Sequence, residues 1–277
     1  MYRLATAFRC LAVTACLLVQ NACQQHTIAD NQAMNPQVLD DALTRIAAAR
    51  ILFLHQSIGE NLLDGMQFLA QERGVSLRVV SLDAWRDAGA GIFHARAGKN
   101  REPDTKYQAW LAQVDAAAYE SFDVAAFKLC FVDLGPDAEL HPDVLLGRYQ
   151  KTLSKLSQQH PRLRILPITI PLEAPPAGKK SWVWRRLQRP LVTDPANVLR
   201  HRFNQALCQQ FAGQPLFDLA ASESTRPDGT RYTFPAAGED IPQLLPQYTV
   251  DGAHLNTAGQ RMAAAAFILS LADILRP

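Results

Sequence analysis

The chain has 277 residues, is 48% hydrophobic and 19% charged, and carries a formal net charge of +2. That is enough apolar material for one sizeable α/β core and too much for a disordered or fibrous chain. So small a charge leaves no global field to draw in nucleic acid, which is not expected as a partner.

Residues 1–22 read as a targeting segment. Arg3 and Arg9 flank the start, Cys10 to Val19 is an apolar run too short to span a bilayer, and Gln20-Asn21-Ala22-Cys23 follows. Export to the periplasm or envelope is the expectation. Two readings stay open, simple cleavage near Ala22 and lipoprotein-type attachment to the membrane through a lipidated Cys23. Removing 1–22 takes away two arginines and no acid, leaving a formal net charge of zero. Residues 23–35 form a polar linker, and 36–277 are expected to be a single domain. Of the five cysteines only Cys130 and Cys208 lie in that domain. Their spacing suits neither a metal site nor a disulfide framework, so both are expected as small buried hydrophobes, with one Cys130–Cys208 bridge the alternative.

Pro36 opens an amphipathic helix to about Ala49. The continuous apolar run Ile51 to Leu54 then breaks into His55-Gln56-Ser57 and resumes with helical spacing at Ile58, Leu62, Leu63 and Met66, which predicts strand, sharp turn, helix. In that turn the Ser57 hydroxyl would project beyond the sheet, with its own N–H at the positive end of the next helix. Helix N-capping is the plain alternative. A strand is expected over Leu77 to Leu82, a long Gly-rich loop over Asp83 to Pro103, a helix over Asp104 to Ala117, and a strand over Asp123 to Val132. A helix from Pro142 to His160 and an edge strand from Leu163 to Ile170 come next. A Pro-rich loop, basic and aromatic from Lys179 to Arg189, then leads to a helix (Pro195 to Phe211), a short strand (Leu216 to Leu219), a loop (Ser222 to Tyr248) and a last helix (Asn256 to Leu275). Strands alternating with helices predict an α/β fold with a parallel sheet covered on both faces and a ligand crevice at the C-terminal strand ends.

Just before the last helix stands Asp251-Gly252-Ala253-His254. A carboxylate and an imidazole three residues apart can bond to each other, which fixes the ring and leaves its other nitrogen free to take a proton from a serine.

Together, the Ser57 turn after the first strand and Asp251-x-x-His254 before the last helix resemble the SGNH (GDSL-like) hydrolase superfamily, over about Arg50 to Leu275. The resemblance implies a flavodoxin-like three-layer α/β/α sandwich and a serine esterase without cofactor or metal, with Ser57 as nucleophile, His254 as base and Asp251 as its orienting carboxylate. It further implies an oxyanion hole drawing on the Gly98 N–H, and for Asn100 two readings stay open: it supplies the missing side-chain amide, or it merely turns a loop. Two motifs depart from the family. His55-Gln56-Ser57 stands where Gly-Asp-Ser is usual, and Cys130-Phe131-Val132-Asp133 stands where Gly-x-Asn-Asp is usual. A small acyl ester or an acylated envelope glycan is the expected substrate. The alternatives are a lipase or phospholipase, and a catalytically weak protein that binds a glycan or a partner. Lys128 and Asp133 suggest a structural ion pair, and His94, His141, His160 and His201 stand singly. For Lys179 to Arg189 three readings stand: a lid or sugar-stacking platform, a surface lying on the membrane, and, placed first, a loop whose tryptophans dock on the core.

Overall fold

The computed structural model describes residues 36–86, 89–116, 122–138, 140–187 and 189–276. The targeting segment and linker expected over 1–35 lie outside them.

The core of the molecule is a five-stranded sheet built from β1 (Arg50–His55), β2 (Val79–Ser81), β3 (Gly91–Arg96), β4 (Val124–Phe127) and β5 (Arg164–Pro167), ordered β2-β3-β1-β4-β5. Every pairing is parallel. Beyond β5 the chain at Ile168 makes one further parallel bridge to Phe217. Because successive side chains of a strand point to opposite faces, β1 contributes Ile51 and Phe53 to one hydrophobic cluster and Leu52 and Leu54 to the other. The first cluster is closed by α1 (Pro36–Ala47), α2 (Ser57–Glu72) and α8 (Thr257–Ile274). The second is closed by α3 (Pro103–Ala116), α4 (Pro142–Gln159) and α6 (Asp194–Gln210). The result is a three-layer α/β/α sandwich with a parallel central sheet. Among the described residues no helix is long and apolar enough to cross a membrane.

Three stretches expected as loops contain regular structure. The segment 83–103 holds β3, a central strand whose apolar signal is only Ile92-Phe93 between a glycine and a basic end, so pairing on both sides rather than local propensity makes it a strand. The basic Trp-containing stretch forms α5 (Lys179–Arg186), and the segment 222–248 contains a hairpin of β6 (Thr233–Ala236) and β7 (Glu239–Pro242). The expected strand Leu216 to Leu219 is only the Phe217 bridge, followed by the short helix α7 (Leu219–Ser224). Cys130 and Cys208 are buried thiols and do not form the disulfide held as an alternative.

On the first face of the sheet, α2 packs directly against α8. Gly65 faces the backbone of α8 so closely that a β-carbon there would sit 2.4 Å from the Gln260 carbonyl oxygen. Gly65→Ala therefore forces the two helices apart. We expect a loss of about 1–3 kcal/mol, the usual cost of overpacking, read as a lower urea midpoint at unchanged slope.

Candidate active site

Ser57 is the first residue of α2 and follows directly on Gln56, which caps the helix, and β1. The Gln56 carbonyl accepts from the Gly59 N–H at 2.7 Å and from His55 Nδ1 at 2.8 Å. A carbonyl can only accept, so His55 carries its proton on Nδ1. Its Nε2 then accepts from His94 Nδ1 at 3.1 Å. Thus His94, expected to stand singly, forms a stacked pair with His55 beneath the turn. The consequence is geometric: the Gln56 C=O and the Ser57 N–H belong to one rigid peptide plane, so fixing the first fixes the direction of the second. Burial holds His55 down to about 4 in spite of the bond to Gln56.

His254 lies 197 residues away, in the turn before α8, with Nε2 3.0 Å from Ser57 Oγ. Its Nδ1 is 2.6 Å from Asp251 Oδ2, and the other carboxylate oxygen accepts the N–H groups of Ala253 (2.9 Å) and His254 (2.8 Å). The carboxylate thus holds both the ring and the backbone of its own turn. Partial burial pushes the Asp251 carboxyl up, but the bonds from the His254 side chain and from these two N–H groups outweigh it and take it down to about 2. Asp251 is therefore an anion above about pH 2, and Nδ1–H is the tautomer it selects. Nε2 is left as an acceptor toward the Ser57 hydroxyl.

Three bonds place this turn. Thr249 Oγ1 donates to the His254 carbonyl at 2.7 Å, and the Ala174 N–H donates to the Gly252 carbonyl at 2.8 Å. Asn61, one turn along α2 from Ser57, accepts the Leu255 N–H on Oδ1 at 3.1 Å. Asn61 ties the residue after His254 to the helix that carries Ser57, and only its spacing of four from Ser57 on the same helix face could have pointed to it. Asn256 also caps α8, accepting from the Gly259 N–H at 3.1 Å.

The segment bearing Gly98 and Asn100 is drawn against the turn by Gln56, whose Nε2 donates to the carbonyls of Ala97 (2.9 Å) and Gly98 (2.8 Å). Gly98 has φ +63, and a β-carbon there would meet the Lys106 backbone nitrogen at 2.4 Å, so the position demands glycine on two counts. Asn100 accepts from Lys106 Nζ on Oδ1 at 3.1 Å, a bond that holds the amide by its oxygen and directs the NH2 group elsewhere. Asp133 does not pair with Lys128 as expected. Its carboxylate is fully buried and accepts from Lys106 Nζ (2.5 Å), the Cys130 N–H (2.7 Å) and the Arg101 N–H (3.0 Å), the last from a residue at φ 69. Asp133 thereby straps the 98–101 segment to the end of β4. Lys128 is buried and donates to the Leu129 carbonyl at 3.0 Å, and burial lowers its pKa. Glu223, also buried, is pushed up to about 8 by desolvation.

A cleft of about 750 Å³ opens on the Phe131 side of the Ser57–His254 pair, and neither Ser57 nor His254 lines it. It is walled by Phe131, Leu134 and Val192, with Arg101, Glu173 and Arg200 supplying charge. Phe131 links the two, its ring meeting that of His254 edge-on at 6.2 Å. Among the described residues no group of acids, histidines and cysteines is arranged to hold a metal ion.

No family model matches the sequence, and a search of curated proteins found no match. Solved structures resemble the chain at low identity. A lipase/acylhydrolase from Enterococcus faecalis is 14% identical at TM-score 0.48, with 82% of this chain and 98% of that one covered. The periplasmic domain of a lipopolysaccharide acetyltransferase from Salmonella ser. Paratyphi A is 11% identical at TM-score 0.46, covering 85% and 93%. The native aryl esterase of M. smegmatis is 13% identical at TM-score 0.44, covering 82% and 100%. Likenesses this distant carry no functional assignment, which has to come from the side chains.

His55 makes the environment of the turn testable through pH. Its folded-state value near 4 lies below the 6.5 of an unperturbed imidazole, so between those values the unfolded chain binds the extra proton. Stability from this group is fully present above about 6.5 and lost as pH falls toward 4, by up to roughly 3 kcal/mol. Glu223 acts in the opposite sense over part of that range but is common to both proteins. Urea titrations of wild type and His55→Gln from pH 7 to pH 4 should therefore show a shallower decline in the variant.

Proposed function

We propose that the protein is a serine hydrolase of the SGNH type acting on carboxylic esters. The observation that carries this reading is the pair of hydrogen bonds that run from Ser57 Oγ to His254 Nε2 and from His254 Nδ1 to Asp251. In the proposed reaction, His254 takes the Ser57 proton as the hydroxyl oxygen attacks the ester carbonyl. Asp251 stabilises the imidazolium so formed, and His254 then returns the proton to the departing alcohol, leaving an acyl-Ser57 that water hydrolyses by the same route.

The Ser57 N–H, held in direction by the peptide plane it shares with the Gln56 carbonyl, is the first donor proposed for the oxyanion, with the Gly98 N–H and the Asn100 amide the further ones. That the Asn100 oxygen is engaged by Lys106 favours its NH2 group as the end left to donate. Phe131, between ring and cleft, and the charged residues Arg101, Glu173 and Arg200 favour a small acyl group on a polar alcohol, such as an O-acetylated glycan, over a long-chain lipid ester. Export, and with it an envelope substrate, rests on residues 1–22, and membrane attachment through a lipidated Cys23 rests on the motif around it.

Hydrolysis of p-nitrophenyl acetate tests the reading. Ser57→Ala should fall to background. Asp251→Asn should lose about two to four orders of magnitude in kcat, because the wrong tautomer is then held. Asn61→Ala should lose about tenfold in kcat with little change in KM, through a loosened His254 turn. Wild-type turnover no higher than that of Ser57→Ala would instead favour a protein that binds its glycan or partner without chemistry.

A further inference from the structure

Helix α5 (Lys179–Arg186) contains no buried residue. Of the eight large exposed hydrophobic side chains among the described residues, four lie on this helix and its cap, Trp182 (68%), Val183, Trp184 and Leu187 (60%), and a fifth, Val192 (81%), lies on the turn before α6. At 100° per residue Val183 and Leu187 share the outer face, with Trp182 and Trp184 on its two flanks. Ser181 and Arg185, one turn apart, face the body of the protein. Arg185 is the pin: it binds both carboxylate oxygens of Asp194 at 2.9 Å, reaches Gln243 at 3.2 Å and lies over the Phe234 ring. The helix is thus pinned through Arg185 on its inner side while Trp182 and Trp184 remain exposed, which overturns the expectation that the tryptophans dock on the core.

Charge decides what would cover that side. From residue 174 to 193 there is no acid, and beyond Arg185 the segment carries Lys179, Lys180, Arg186 and Arg189. None of the four forms an ion pair among the described residues, all are exposed, and Lys180 Nζ lies over the Trp184 ring at 4.9 Å. Tryptophan flanks with interleaved long cationic side chains suit the boundary of an anionic bilayer, where the rings enter the headgroup region and the ammonium and guanidinium groups reach phosphate. We infer that α5 docks the protein on anionic lipid surfaces, with Trp182 and Trp184 entering the interface and Lys179, Lys180, Arg186 and Arg189 meeting phosphodiester headgroups. Val192, exposed on the turn before α6, also walls the cleft beside Phe131. Docking through α5 is independent of the hydrolase reading.

Full-length protein is mixed with phosphatidylcholine vesicles that contain or lack 30% phosphatidylglycerol, and partition is measured by co-sedimentation. Residues 1–22 are common to every variant, so differences between variants isolate α5. Wild type should prefer the anionic vesicles. K179Q/K180Q/R186Q/R189Q should bind at least about tenfold more weakly, since one cation near an anionic surface is worth about fivefold. Tryptophan emission should shift to the blue on binding and be quenched by brominated acyl chains, and both signals should vanish in W182A/W184A, whose fold is checked by circular dichroism. Ser57→Ala should partition as wild type does, which separates this outcome from the fate of the hydrolase reading. Equal partition of wild type and the four-glutamine variant, no preference for phosphatidylglycerol, or unmoved emission in anionic vesicles would overturn it. So would a soluble glycan that binds α5 while vesicles do not.

Discussion

The seating of α2 on α8 is the constraint on which the site depends. The two helices begin at opposite ends of the domain sequence, yet Gly65 lets their backbones approach and Asn61 bonds the Leu255 N–H at the start of the second. Close packing of this kind transmits position with little slack. Once the helices are seated, the hydroxyl at the head of one and the imidazole at the head of the other are 3.0 Å apart. A parallel sheet makes this arrangement natural, because its strands all deliver their C-terminal ends, and the turns after them, to one edge.

Around that edge the protein spends buried polar groups on positioning. In His55-Gln56-Ser57 both side chains ahead of the serine have defined partners. His55 holds the peptide plane in front of Ser57, and Gln56 ties in the carbonyls of Ala97 and Gly98. Asp133 gathers Lys106, Cys130 and Arg101, and through Lys106 it also steadies Asn100. A buried ion pair of this kind adds little to net stability, since desolvation offsets most of the attraction, but removing one partner strands the other charge. Its effect is to hold the backbone of 98–101, including Arg101 at positive φ, in a conformation that local sequence does not favour.

Much of the layered fold was legible because its signals are local. Ile51 to Leu54 is a continuous apolar run, α2 has a clear apolar period, and Asn256 marks the start of α8. What escaped was set by tertiary context. β3 carries only two large apolar residues and is a strand because β1 and β2 pair with it, while the β6–β7 hairpin is short and rich in proline and acid. α5 was hidden by the prolines around it. At the site, Ser57, Asp251 and His254 stand out from sequence because each occupies a turn next to a recognisable element. Asn61 and Lys106 look like ordinary exposed polar positions on helices, and the meeting of His55 with His94 depends on the register of a strand that sequence did not reveal.

The most direct measurement is the intact mass of the protein after exposure to a fluorophosphonate, followed by peptide mapping of the adduct. A Ser57–His254–Asp251 hydrolase should take up one covalent addition, on Ser57, that is absent in Ser57→Ala and much slower in His254→Ala. A protein that stays unlabelled, or one labelled on another residue with Ser57 unmodified, would contradict it.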